Sequence, residues 1–218
     1  PSPTPPPSPL TLGSCDTDPS QPVVNVPMYW RAIGAGGGVG PLTYTWSGTD
    51  ISTRTTSQPS LPFTYTSLTP SNKLMTVSVT DGVTTKTANC NKTLSQAFVG
   101  TCPNKSVIMT SSGLSVPFSW AVSLVDNLPA SAQCTYSWLP FGGEIPALTN
   151  PVLPPACSSN LSITSNAISY SATGTKMVNL KIHATVTTTL DDGTPVTTST
   201  DTLIPCSANV IDPKGVER

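Results

Sequence analysis

Six cysteines are the residues of this 218-residue chain best equipped for chemistry: Cys15, Cys90, Cys102, Cys134, Cys157 and Cys206. Thiols that hold zinc or exchange electrons are commonly paired as C-x-x-C. None of these six is so spaced, which points to covalent cross-linking in an oxidising compartment. Other reactive types are sparse. His183 is the only histidine. One imidazole builds no metal cluster, and no nucleophile motif accompanies it. Strand parity puts it on the face opposite Leu180 and Ile182, an exposed position. Asp16 with Asp18, and Asp191 with Asp192, are carboxylate pairs of a kind that can ligate calcium. A calcium cage needs about six to eight oxygens from one fixed loop, and neither pair has such a motif around it. Glu144 lacks the second carboxylate of a glycosidase. The expectation is no catalytic residue, no metal and no cofactor: the chain is not read as an enzyme.

Six thiols can pair in many ways, and the residues between them narrow the choice. The first half runs Cys15, Pro27-Met28-Tyr29-Trp30, Thr43-Tyr44-Thr45-Trp46, Lys73-Leu74-Met75, Cys90. The second runs Cys102, Pro117-Phe118-Ser119-Trp120, Thr135-Tyr136-Ser137-Trp138, Lys176-Met177, Cys206. This is an internal duplication. It selects Cys15–Cys90 and Cys102–Cys206 and leaves Cys134–Cys157 inside the second copy. All four Trp recur in register. A sugar-stacking platform is one use for them; the centre of a β-sandwich, over its disulfide, is the expected one.

The elements that would position these residues are strands. Met75, Val77 and Val79 alternate with Thr76, Ser78 and Thr80, and Val178 through Val186 alternate in the same way, so each segment has one buried face. Asp81-Gly82 and Asp192-Gly193 are hairpin turns. Val83–Cys90 returns after the first, and Val107-Ile108-Met109 opens the second domain. Thr and Val abundance, with no convincing 3.6-residue period, gives an all-β protein. Gly34–Gly40 reads as a flexible loop; no Lys-Ser/Thr follows to make it a phosphate loop. The boundaries are a Pro-rich polyproline II arm at 1–9, a sandwich at 10–93, a linker at 94–99, a second sandwich at 100–212 with a long disulfide-pinned insert, and a tail at 213–218. The arm is expected to serve as a spacer or to dock on a neighbouring subunit. A start at Pro1 suggests a processed chain or a fragment.

Only 10% of residues are charged and the net charge is −1. No basic patch exists for nucleic acid. No apolar run is long enough for a spanning helix, so membrane insertion is not expected. Charge this low weakens the repulsion that keeps copies apart. Asn91, Asn104 and Asn160 open N-glycosylation sequons.

The stretch Gly38-Val39-Gly40-Pro41-Leu42-Thr43-Tyr44-Thr45-Trp46-Ser47-Gly48-Thr49-Asp50, followed by Val77-Ser78-Val79-Thr80-Asp81-Gly82, resembles PKD-type, immunoglobulin-like modules of bacterial cell-surface proteins. The resemblance covers Cys15–Cys90 well. In Cys102–Cys206 it rests on Thr135–Trp138, and the insert departs from it. It implies two tandem immunoglobulin-like sandwiches, extracellular display, and a first-strand to last-strand bridge matching Cys15 and Cys90. It implies no chemistry. The function expected is a structural subunit of an extracellular filament or surface appendage, with copies of itself as partners and glycans as possible ligands. The alternative is a binding or spacer module of a secreted adhesin or hydrolase.

Overall fold

The computed structural model describes residues 7–110, 117–142, 148–151, 156–157, 161–189, 191 and 193–212. Pro1–Pro6 of the arm, the tail at 213–218, Glu144, Asp192 and Asn160 lie outside them. The described residues are all-β, with no helix, and their sheets have an immunoglobulin-like arrangement. The chain forms two compact units, Pro1–Gln96 with Thr188–Thr198, and Ala97–Thr187 with Ser199–Arg218. Sequence order alone would leave Thr188–Thr198 with the second repeat; by contacts they go with the first unit.

In the first unit, β1 (Ser14–Asp18), β2 (Met28–Ile33) and β5 (Ser60–Phe63) form one antiparallel sheet in the order β1-β2-β5. The strands β4 (Ile51–Thr56), β3 (Thr43–Gly48), β6 (Asn72–Thr80) and β7 (Thr85–Thr93) form the other, in that order. Period-2 alternation decides which side chains lie inside. Lys73, Met75, Val77 and Val79 point inward from β6, and Tyr44 and Trp46 from β3. They meet Met28, Trp30 and Ala32 of β2 in a single core that also takes in Leu10, Leu61, Tyr65 and Leu94. The Asp81-Gly82 turn occupies Asp81–Thr84, so the return strand begins at Thr85 and Val83 sits on the loop, 77% exposed.

In the second unit, β12 (Leu161–Thr164), β10 (Ala121–Asp126) and β8 (Phe98–Thr101) form a three-stranded sheet. The partner sheet runs β11 (Gln133–Gly142), β13 (Gly174–Thr189), β14 (Pro195–Ile211), β9 (Lys105–Ile108). The β9 strand pairs parallel to the end of β14, Val107 opposite Val210. Val178, Leu180, Ile182, Ala184 and Val186 fill its interior with Trp120, Val122 and Trp138.

The stretch read as a linker at 94–99 contains the division between the units, after Gln96. Its residues are packed: Leu94 and Ala97 are buried, and buried Phe98 opens β8, which pairs with β10. A four-residue strand carrying Gly100 is too short to show a period. The stretch read as a flexible loop, Gly34–Gly40, is in part a fixed seat. Thr11 N–H donates to Gly36 O at 2.8 Å, Gly36 N–H donates back to Thr11 O at 3.2 Å, and Gly38 N–H donates to Ser8 O at 2.8 Å. At Gly37 and Gly38, φ is +72° and +86°, and a Cβ would lie 2.2 Å from Pro9 O and 2.7 Å from Asp81 Cβ respectively. Glycine is required there by conformation and by close approach.

Candidate functional site

The disulfides are Cys15–Cys90, Cys102–Cys206 and Cys134–Cys157. The first joins β1 to β7, strands that belong to opposite sheets.

All four Trp are enclosed, at 0% exposure for Trp30, Trp46 and Trp120 and 4% for Trp138. None offers a ring face for stacking a sugar. The Trp30 indole N–H donates to the Tyr65 hydroxyl at 3.2 Å. The ammonium of Lys73, whose side chain is fully buried, sits 5.0 Å from the Tyr65 ring centre and 2.6 Å from Asp50 Oδ2. The second unit repeats the set: Phe118 lies edge-on to Trp120 at 5.4 Å, Tyr170 is 5.4 Å from Phe118, and buried Lys176 stands 5.6 Å over Tyr170. Burial pushes both phenols above their ordinary value, opposed at Tyr65 by the hydrogen bond from Trp30. The sequence repeat does not single out Tyr65 and Tyr170. Their parallel is hidden because Tyr65 follows Trp30 by 35 residues and Tyr170 follows Trp120 by 50.

Asp81 holds the β6–β7 turn and the glycine seat together. Its Oδ1 accepts from Thr84 N at 2.7 Å, Val83 N at 2.9 Å and Thr84 Oγ1 at 3.2 Å, and its Oδ2 accepts from Val39 N at 3.0 Å. These bonds, led by those from the Thr84 and Val83 amides, lower its pKa to about 2. Stabilisation of the charged form by backbone donors is the cause.

Of the acids considered for calcium, Asp16, Asp18 and Asp191 have cationic partners. Asp16 Oδ1 lies 2.5 Å from Lys92 Nζ, and that contact, then the Thr17 amide, lowers its pKa. Arg31 stands between Asp18, at 2.9 Å, and Asp191, at 3.3 Å, with its guanidinium 4.9 Å from the Tyr29 ring centre. Burial is the largest single influence on Arg31 and lowers its pKa, yet the bonds to Asp18 and then Asp191 raise it on balance. Ser60 Oγ donates to Asp191 Oδ2 at 2.5 Å, and Asp191 N donates to the Tyr29 hydroxyl at 3.0 Å. Asp18 and Asp191, 173 positions apart in sequence, therefore share one arginine inside the first unit. Beside them is an open cleft of about 430 Å³ lined by Tyr29, Thr56, Gln58, Ser60, Pro62 and Asp191.

His183 is exposed on the outer face of β13. Its Nδ1 is 2.7 Å from Asp201 Oδ1, whose other oxygen is 2.8 Å from Lys181 Nζ. The Lys181 bond, then the His183 bond, lowers the Asp201 pKa. Thr135 on β11 is the register partner of His183. Among the described residues no group of three or more His, Cys, Asp or Glu could hold a metal. Of the sequons, Asn91 is exposed on β7, and Asn104 is exposed and accepts from Ser207 Oγ at 2.7 Å.

No family model matches this chain, and no curated protein matches it. It is similar to several solved structures. One is an endo-fucoidan hydrolase of glycoside hydrolase family 107, at 14% identity over 88% of this chain, with a TM-score of 0.31. This chain spans only 27% of that hydrolase. Another is the three N-terminal domains of the outer capsid protein Hoc of bacteriophage RB49, at 14% identity over 88% of this chain and 66% of that one, TM-score 0.32. A third is domains 4 and 5 of the S-layer protein SbsC, at 15% identity over 94% and 98%, TM-score 0.31. The fold assignment rests on the strands and their pairing.

Proposed function

We propose that this chain is a structural subunit of an extracellular filament or surface appendage, built from two tandem PKD-like sandwiches and assembling head to tail through terminal extensions and sandwich-to-sandwich contacts. The observation that carries the reading is the use made of the polar groups. Asp81 binds turn amides, Asp50 meets Lys73, Asp16 meets Lys92, and Asp18 and Asp191 share Arg31. Each of these groups holds backbone or strands in place. The thiols are engaged as cross-links, which suit an oxidising, extracytoplasmic setting. A contact between unlike surfaces that does not close into a ring propagates as a fibre. Electron micrographs and light scattering of the purified protein over rising concentration test this. Filaments of uniform width are expected; discrete monomers at high concentration overturn it.

One observation favours the second reading, a binding or spacer module of an adhesin or hydrolase. The cleft at Tyr29, Gln58 and Ser60 presents hydroxyl and amide groups of the kind that engage sugar hydroxyls. A glycan array, with Gln58→Ala as control, tests it; binding that is unchanged in the variant, or absent, overturns it.

A further inference from the structure

We propose that Asn91 carries an N-linked oligosaccharide whose first sugars lie over Leu74, on the outer face of the sheet β4-β3-β6-β7. This modification is independent of the filament reading. It needs only an extracytoplasmic chain, which the three disulfides suit.

Strand parity presents the acceptor. In Asn91-Lys92-Thr93, Asn91 and Thr93 are exposed on the outer face of β7, while Lys92 points the other way and meets Asp16. The amide to be modified and the hydroxyl that the transferase requires two residues on therefore share one face. The strand is the last of its sheet, so a bulky group on it displaces no neighbour. The donor is an oligosaccharide held on a lipid diphosphate. The Asn91 amide nitrogen attacks the anomeric carbon and a C–N bond forms. The C–O bond to the diphosphate breaks, the lipid diphosphate leaves with the electron pair, and the amide gives up one proton.

What lies beside Asn91 gives the glycan its place. Leu74 is its register partner on β6 and is 55% exposed. Directly opposed side chains on one face of an antiparallel pair have Cβ atoms about 4.5–5.5 Å apart, within reach of a first sugar ring. The rest of that face is hydroxyl and amide. Thr76 Oγ1 donates to Asn89 Oδ1 at 2.8 Å, and the Ser78 and Thr87 hydroxyls are 3.1 Å apart. A sugar ring has an apolar C–H face, which suits Leu74, and a rim of hydroxyls, which suits these neighbours. The outward residues of β7, from Thr85 to Thr93, carry no charge. An open edge strand without outward charge beside an exposed leucine invites pairing with other chains. A bulky, hydrated sugar chain blocks that approach. Asn104, the other exposed sequon among the described residues, lies between β8 and β9 and has no cross-strand leucine.

Site-resolved mass spectrometry of the chain purified from its own source tests the modification. Amidase release in heavy-oxygen water labels each Asn that carried a glycan. Label at Asn91 in most chains is expected; an unmodified Asn91 overturns the proposal. The covering of Leu74 is tested on the full-length chain secreted from a eukaryotic host. Asn91→Gln and Thr93→Ala should both lose the glycan, and Thr93→Ser should keep it. Light scattering should show Asn91→Gln and Thr93→Ala associating several-fold faster than the glycosylated chain. Adding Leu74→Ser to Asn91→Gln should restore the slow rate, and Asn104→Gln should leave it unchanged. An association rate that Asn91→Gln does not raise, that Leu74→Ser does not restore, or that Asn104→Gln raises equally overturns the placement over Leu74. Counting the three native disulfides in each variant establishes that the fold is intact. Micrographs separate amorphous aggregates from filaments of uniform width, so failure here leaves the filament reading standing.

Discussion

The Lys73 ammonium lies 2.6 Å from Asp50 Oδ2, its own side chain fully enclosed and that of Asp50 about half open to water. The asymmetry sets unequal costs. Asp50→Ala leaves a buried cation facing the Tyr65 ring without its carboxylate and is expected to cost about 1–3 kcal/mol, below the range for a fully buried pair because Asp50 is partly solvated. Lys73→Met removes the charge and keeps the volume, and it should change stability by less than about 1.5 kcal/mol. Urea denaturation of both variants checks this. Equal losses would show that the pair, rather than the stranded charge, sets the cost.

Asp81 should govern acid stability in the first unit. Its folded pKa of about 2 lies below the ordinary 3.8. The folded state therefore binds fewer protons in this window, and the contribution is complete above about pH 4 and is lost as pH falls towards 2. Asp16, lowered by Lys92, acts in the same direction. Thermal unfolding followed from pH 7 to pH 2 should show the decline begin near pH 4. Asp81→Asn should have a lower Tm at pH 7 and a shallower acid slope.

The disulfides should rank by the length of chain they close. Cys102–Cys206 spans 104 residues, Cys15–Cys90 75, and Cys134–Cys157 23. On loop-closure entropy, replacing each pair by serine should cost about 4–5 kcal/mol for the two long loops and about 3–4 for the short one. Calorimetry of the three double variants gives the order.

Gly37→Ala should expel Ser8–Pro9 from its seat. The added Cβ meets backbone, which cannot swing aside, and the φ of +72° disfavours it. Hydrogen exchange at the Gly38 amide, the donor to Ser8 O, should accelerate at least tenfold while amides of β6 keep their protection. Unchanged exchange at Gly38 would contradict the close approach.

The strands that carry Lys73–Val79 and Lys176–Val186 were legible because period-2 alternation is local. The burial of the Trp residues was legible because each recurs at the same step of the repeat. The glycine seat was not: a Gly-rich run looks mobile until the path of Ser8–Leu10, some 25 residues earlier in sequence, is known. The partners of the acids were hidden for the same reason. Asp16 and Asp18 are close in sequence, whereas folding sends Asp16 to Lys92 on β7 and Asp18 to Arg31 on β2. Phe98–Thr101 was missed as a strand because its pairing with β10 is visible only in three dimensions.

The two long disulfides also decide how far this chain can be stretched. Tension between Ser8 and Asp212 passes from Cys15 straight to Cys90, and from Cys102 straight to Cys206, so the 75- and 104-residue spans they close carry none of it. Only the short segments outside them can pay out, at about 3.4 Å per residue. An unbridged chain would lengthen several-fold further before drawing taut. With the sulfur bonds intact it behaves as a nearly inextensible tether, and a reductant would turn the same polypeptide into a slack one.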